Sequence, residues 1–294
     1  ISRKRATISV APNFAYGLCV RRVRERDLEG VDLSSWQFAL NGAEPVAPAV
    51  LRRFSDRFAP YGFDARALMP VYGLSEASLA VTFTPAGRPP RTIAHGAREL
   101  ASVGVPLPGI EVDVREGRIL VRGPSVMREY FGNRDATDAT LRDGWLDTGD
   151  LGFLQDGELF VSGRAKDVVI LRGSNHAPQE FEEALDGVAG VRPGCVAAVG
   201  VPTAEGEQLA LLVEADGAAD AEQIRARVTE HTGIRPHEVH LLASGTLPRT
   251  SSGKLRRGEA LRQLQSGELK PPDRVTLLHV AKETARSLLA RLQW

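Results

Sequence analysis

The sequence predicts an α/β fold followed by a smaller α+β unit, and three observations carry that expectation. An amphipathic helical stretch leads into a short apolar strand that ends in a glycine-containing turn. Short alternating segments punctuated by Gly, Pro and Asp come next. Near Gly163-Arg164-Ala165-Lys166-Asp167 the pattern changes again, and a mixed stretch of about 100 residues follows, the size of a small domain.

The helix lies in VAPAVLRRFSDRFAPYGF. Ala47, Leu51, Phe54 and Phe58 recur at helical spacing, Pro48 sits near the first turn and Gly62 lies past the end. Leu68 to Val71 is the short strand. It runs into Tyr72-Gly73-Leu74-Ser75-Glu76, and the strand-to-loop turn is where open α/β sheets hold ligands. TPAGRPPRTIAHGARE reads as a surface loop. Ile110 to Val114 and Arg118 to Val121 read as β-hairpin strands of a small β-rich subdomain. Past the boundary, Val168 to Leu171 is apolar and ends at Gly173, and Pro178 opens the helix QEFEEAL. Strands are expected at Val196 to Val201, Leu209 to Val213 and around Val239 to Leu242, with helices over Ala221 to Glu230 and from near Leu255. The division is therefore 1–163, 164–268 and a tail, 269–294. In the tail Leu277, Ala281, Ala285, Leu288 and Leu292 mark an amphipathic helix, docked on this protein or on a partner.

Composition narrows the function classes. With 37 Lys and Arg against 37 Asp and Glu the formal charge is zero, so nothing points to nucleic acid or an anionic surface as partner. No apolar run reaches the roughly 18 residues of a membrane span, and no secretory signal opens the chain. The two cysteines, Cys19 and Cys195, lie in apolar stretches without metal-ligand spacing; they read as buried structural thiols of a reducing, cytoplasmic compartment. His231, His237 and His240 cluster without the partners of a zinc site. Ile1 in place of Met reads as the start of a fragment or an expressed portion.

Four segments can carry chemistry, and each also has an ordinary structural reading. In LPRTSSGK, Lys254 follows small polar residues and can swing a point charge onto a phosphate oxygen, or be a solvated loop lysine. A P-loop is excluded because Pro248 stands where its first glycine belongs and Leu255 follows the lysine. In YGLSE, Ser75 can donate to a phosphate oxygen and Glu76 is a hard ligand for Mg²⁺, or Ser75 is a helix cap. In DTGDLG and GRAKD, an aspartate in a turn, Asp150, can accept two ribose hydroxyls and Arg164 can donate to ribose or phosphate; otherwise they are a turn aspartate and a surface arginine.

The ordered set NGAEP, YGLSE, DTGDLG, GRAKD with GSNHAPQEFE, and PRTSSGK resembles the adenylate-forming superfamily over residues 8 to 260 or so. That superfamily holds acyl-CoA synthetases, fatty acyl-AMP ligases, luciferases and carrier-protein adenylation domains. APNFAYGLCVRRV, NGAEPV and YGLSEASL are most similar to the fatty acyl-AMP ligases. The resemblance implies the downstream part of a large adenylating domain, an α/β remnant plus the β-rich subdomain, followed by a small mobile lid domain. It implies ATP and Mg²⁺, a fatty or other carboxylic acid, and an acceptor thiol on carrier-protein phosphopantetheine or on CoA.

By matched position, Gly42, Ala43 and Glu44 would line the adenine site, Tyr72 would stack near the base, and Gly73 and Leu74 would shape its loop. Ser75 would contact the α-phosphate and Glu76 would hold Mg²⁺. Asp150 and Arg164 would bind the ribose above Val161, and Lys254 would be the catalytic lysine of adenylation. Lys166 would be the hinge and Gly173 would approach the thiol tunnel. Phe14 and Tyr16 would line the acyl pocket. The segment between Glu76 and Val103 is short for the insertion that restrains the lid of fatty acyl-AMP ligases, so an acyl-CoA synthetase stays open. No copy of the family's glycine- and Ser/Thr-rich phosphate loop is found. The expectation is an enzyme fragment, or a docking module that has lost turnover.

Overall fold

The computed structural model describes residues 1–250 and 253–271. The amphipathic tail helix expected beyond residue 271 lies outside them.

The chain opens with β1 (Ile8–Ala11), α1 (Asn13–Arg22), β2 (Phe38–Asn41), α2 (Pro48–Phe58), β3 (Leu68–Tyr72) and β4 (Thr82–Phe83). β1, β2 and β3 pair in parallel, and the sheet ends antiparallel through β4 to β7 (Val105–Pro106). α2 begins as expected, with Pro48 where a missing N–H costs nothing, and buries Val50, Leu51, Phe54 and Phe58. Tyr16, Trp36, Phe58 and Phe63 surround Phe54, with ring centroids 4.6 to 6.0 Å away. Each such buried ring contributes about 1.5–3 kcal/mol over exposure, so this cluster anchors the parallel layer.

Residues 84–99 are not simply a loop. They carry β5 (Thr92–His95) and begin β6 (Arg98–Ala101), an antiparallel hairpin turning at Gly96, which has φ +60°. Strand pairing from Thr92 on overrides the Pro- and Arg-rich composition that precedes it. β8 (Glu111–Arg115) and β9 (Arg118–Arg122) form the expected hairpin. Helix α3 (Arg134–Thr140), capped by Asn133, and β10 (Leu141–Arg142) lead into the long β11 (Trp145–Gln155). β11 pairs with β9, β10 and β12 (Glu158–Arg164), so Asp150 sits on a strand, not in a turn. A register irregularity at Leu151/Gly152 lets the strand bend beside it.

The division expected between residues 163 and 164 falls at the last residue of β12. Next come β13 (Val169–Leu171), β14 (Ser174–His176) and α4 (Pro178–Glu183), again with proline at its first position. β15 (Val191–Thr203) and β16 (Gly206–Ala215) are antiparallel, and β17 (Glu238–Leu242) adds in parallel after α5 (Ala221–Thr232). Alternate residues of β15 and β16 serve two cores. Val196, Ala198, Leu209, Leu211 and Val213 face α4 and α5; Ala197, Val199, Ala210 and Leu212 face Leu247 and α6 (Arg257–Ser266). α6 starts two residues later than expected because Leu255 is spent on a β-bridge to Arg249. The thiols are half-buried rather than buried, and burial raises the pKa of both.

Candidate active site

β3 ends at Tyr72, and the next residue has no room for a side chain. A Cβ on Gly73 would lie 1.4 Å from the Leu79 carbonyl oxygen, because the chain folds back at once through a short 3₁₀ turn, Ser75–Ala77. Leu79 N–H donates to Leu74 O and Val81 N–H to Tyr72 O, both at 3.0 Å, which closes the loop. Ser78 and Leu79 take φ of +52° and +89°, conformations that a side chain disfavours, and such strain gathers where a loop must present particular groups. Leu74, not Ser75, occupies the cap position of this turn, and no side chain caps it. The helix-cap reading of Ser75 is therefore set aside, and its hydroxyl is exposed.

Tyr72, Asp150 and Arg164 come together although they span three strands. The Tyr72 hydroxyl donates to Asp150 Oδ2 at 2.7 Å, and Arg164 Nε donates to Asp150 Oδ1 at 2.8 Å. Asp150 and Arg164 are direct cross-strand partners on β11 and β12. Asp150 N–H donates to Thr148 Oγ1, whose own proton goes to Ile119 O, so the carboxylate is held from its backbone side as well. Burial, with the Asp150 charge next, pushes the Tyr72 pKa far up and keeps the phenol a donor. Asp150 is 13% exposed and each oxygen retains a lone pair for an incoming hydroxyl. Val161 is partly buried against the core cluster that holds Ile119, Val121 and Leu159.

Glu76 lies in the same loop. Tyr130, which sequence reasoning missed, donates its hydroxyl to Glu76 Oε1 at 2.8 Å. That leaves Oε2 for a cation. Among the described residues no group of three His, Cys, Asp or Glu gathers as a metal cage. The donor set suits Mg²⁺, which binds through one or two carboxylates and completes its shell with water and phosphate oxygens.

On the β2 side, Gly42 is buried against β3, where a Cβ would sit 2.9 Å from Val71 O. Ala43 follows at φ +67° and presents Glu44. The Glu44 carboxylate accepts the Phe14 N–H. Burial raises the Glu44 pKa, opposed by that hydrogen bond and by the charges of Lys254 and Arg249. The structure thus brings Lys254, at the far end of the sequence, into electrostatic reach of the NGAEP turn. Arg249 was not singled out from the sequence; its place within LPRTSSGK was the available signal.

The remaining expected residues scatter. Lys166 is exposed in the 3₁₀ turn after β12, and Gly173, φ +80°, is exposed in the β13–β14 turn. Phe14 is half exposed on α1. Tyr16 is 2% exposed, edge-on to Phe54 in the core, and its hydroxyl donates to Leu40 O at 3.0 Å. It packs the parallel layer.

Comparison with known proteins gives these features a context. The family model described as AMP-binding enzyme matches residues 1–131. A Caulobacter vibrioides protein whose name assigns it to the acyl-CoA synthetases is 37% identical over 298 residues, covering 88% of this chain and 52% of that protein. JamA of Moorena producens, a medium-chain-fatty-acid–[acyl-carrier-protein] ligase, is 33% identical over 318 residues, covering 92% of this chain and 54% of its own length. A solved structure from a study of fatty acyl-adenylate ligases of E. coli and L. pneumophila superposes with TM-score 0.82 at 36% identity, over 91% of this chain and 54% of that one. The chain spans about half the length of the curated relatives it matches. Residues 1–131 thus match the AMP-binding enzyme family model, and the chain carries the fold of adenylating enzymes over 91% of its length.

Proposed function

We propose that this chain contributes the nucleoside- and lysine-bearing part of an enzyme that joins a fatty acid to AMP. The carrying observation is the convergence of Tyr72, Asp150 and Arg164. A half-buried carboxylate held by two donors, with lone pairs left over, is suited to a ribose diol. Gly42, Ala43 and Glu44 line the base on one side and Tyr72, Gly73 and Leu74 on the other. Ser75 donates to the α-phosphate, and Glu76, steadied by Tyr130, is the residue for Mg²⁺. Bound there, the metal would offset phosphate charge.

In the reaction a carboxylate oxygen forms a bond to the α-phosphorus, the bond to the pyrophosphate oxygen breaks, and pyrophosphate leaves with its electron pair. Negative charge grows on the α-phosphate oxygens, and the Lys254 ammonium stabilises it. A thiolate then attacks the acyl carbonyl and AMP departs. We assign the acceptor to carrier-protein pantetheine, supported by the likeness to JamA and to fatty acyl-adenylate ligases. A second reading, CoA as acceptor, is favoured by the Caulobacter relative's name. Lys166 is the proposed hinge and Gly173 the proposed approach to the thiol.

The test is ATP–pyrophosphate exchange with a panel of fatty and aryl acids, on this chain and on the whole protein, followed by acyl transfer to holo carrier protein or to CoA. Lys254→Ala should reduce exchange in the whole protein by about 100-fold or more, the scale of losing one transition-state donor. Exchange at the parental rate in that variant would remove Lys254 from the mechanism.

A further inference from the structure

Lys254 can serve a transition state only if its segment is held, and the described contacts show what holds it. The backbone of this segment is paired with itself: Thr250 N–H donates to Lys254 O at 2.8 Å, Lys254 N–H to Thr250 Oγ1 at 3.0 Å, and Arg249 bridges Leu255. Such a turn is closed on itself by its own hydrogen bonds. Among the described hydrogen bonds, those of Arg249 tie it to β15. One guanidinium nitrogen donates to Gly253 O at 2.8 Å, next to the lysine, and another donates to Gly194 O at 2.7 Å and meets Cys195 Sγ at 3.3 Å.

The anchor on the other side is unusual in its own right. Gly194 lies where β15 departs from its register with β16, between Val191 and Val196, and has φ +69°. The irregularity takes Gly194 O out of the ladder and makes it available to a side chain. Apolar packing reaches the flanks of the turn, through Leu247 and Leu255. A cavity of about 580 Å³ borders the same segment, lined by Cys195, Glu214, Leu247, Arg249, Gln263 and Lys270 among others. A planar guanidinium can span two carbonyls at fixed angles; an ammonium cannot hold both so rigidly.

We propose that Arg249 is a positioning residue for Lys254: its fork pins the lysine segment to the irregular turn of β15, and the lysine reaches the NGAEP side only while the fork is seated. This rests on the adenylation reading given above. The Arg249 charge also acts on Glu44, and so does that of Lys254, which places both ends of the clamp near the same side of the site. The simple alternative is that Arg249 contributes only positive charge.

A double-mutant cycle in the whole protein separates these roles. Arg249→Ala and Arg249→Lys should each lower the pyrophosphate-exchange kcat by about 10- to 100-fold, the scale of misplacing a catalytic group by an ångström, with KM for ATP within about threefold. In a Lys254→Ala background, Arg249→Ala should have almost no further effect, because a positioning residue has nothing left to position. On this chain, hydrogen exchange at the Lys254 and Thr250 amides should speed up in both Arg249 variants, while the amides of β16 and α5 keep the parental rate. Full activity in Arg249→Lys would overturn the clamp in favour of charge alone. Additive losses in the double variant would overturn it in favour of a general structural role. Parental exchange in Lys254→Ala would instead overturn the lysine's assignment; the amide exchange of Arg249→Ala then still decides whether the clamp holds the segment.

Discussion

Gly73 shows how one missing side chain sets a site. Any Cβ there meets the Leu79 carbonyl oxygen at 1.4 Å, a contact that only movement of the loop can relieve. Gly73→Ala should therefore destabilise by about 1–3 kcal/mol, as overpacking does, and pull Ser75 and Glu76 out of place. A lower thermal midpoint for the variant chain, with nucleotide binding lost in the whole protein, is the expected pair of results. Glu44 gives a prediction in pH. Burial lifts its pKa above the ordinary glutamate value, so the folded chain binds more protons than the unfolded one from about pH 4 upward. Stability from this group is thus fullest below that range and is lost as pH rises through the folded pKa. In Glu44→Gln the urea midpoint should decline less across that range than in the parent; an equal or steeper decline would place the ionised carboxylate in a favourable setting. At this scale the candidate site was legible in part. YGLSE and GRAKD announced residue types, but Tyr130 carries no motif of its own and reaches Glu76 across 54 residues, a distance that only folding reveals.

Elements differ in how much of their cause is local. α2 and α5 were readable because their starts and stops are local in sequence: Pro48 and, past a 3₁₀ turn, Gly62 for one, Asp220 and Gly233 for the other. Asp220 Oδ1 accepts the Glu222 N–H at 3.0 Å, so Asp220→Ala should cost about 1 kcal/mol, seen as a lower denaturation midpoint. An unchanged midpoint would mean that the tertiary packing of Ile224 and Val228 alone sets the helix start. The β5–β6 hairpin was not readable, since its reason for being extended is pairing with another segment rather than composition. Asp150 was placed in a turn for the same cause. TGDLG has turn residues, yet β11 spans them because β9 and β12 flank it and the bulge absorbs the mismatch. That pairing is also what puts Arg164, fourteen residues on, opposite Asp150.

For the molecule as a whole, the question is what seats the lysine-bearing half against the half that carries YGLSE. Two arginines of the first half meet the acidic end of α4. Arg98, 6% exposed at its side chain, donates through two nitrogens to Glu183 and through a third to Ser162 O, while Arg53 approaches Asp186 at 3.8 Å. Glu182, next along, faces the other way and holds Arg257 of α6. One short helix is therefore tied to the first half and to α6 by neighbouring carboxylates. Burial raises the Glu183 pKa and Arg98 opposes that rise, so removal of Arg98 leaves the carboxylate favouring its proton. Arg98→Met, which keeps the stem and removes the donors, should weaken this seat by about 2–3 kcal/mol. Protease cleavage around residues 163–168 should become faster, and amide exchange should rise in α4 but not in β2 or α2. Because a protonated Glu183 no longer needs its partner, the difference between variant and parent should shrink as pH falls. A difference that persists unchanged at low pH would show that Arg98 acts through packing on Ser162 rather than through the ion pair.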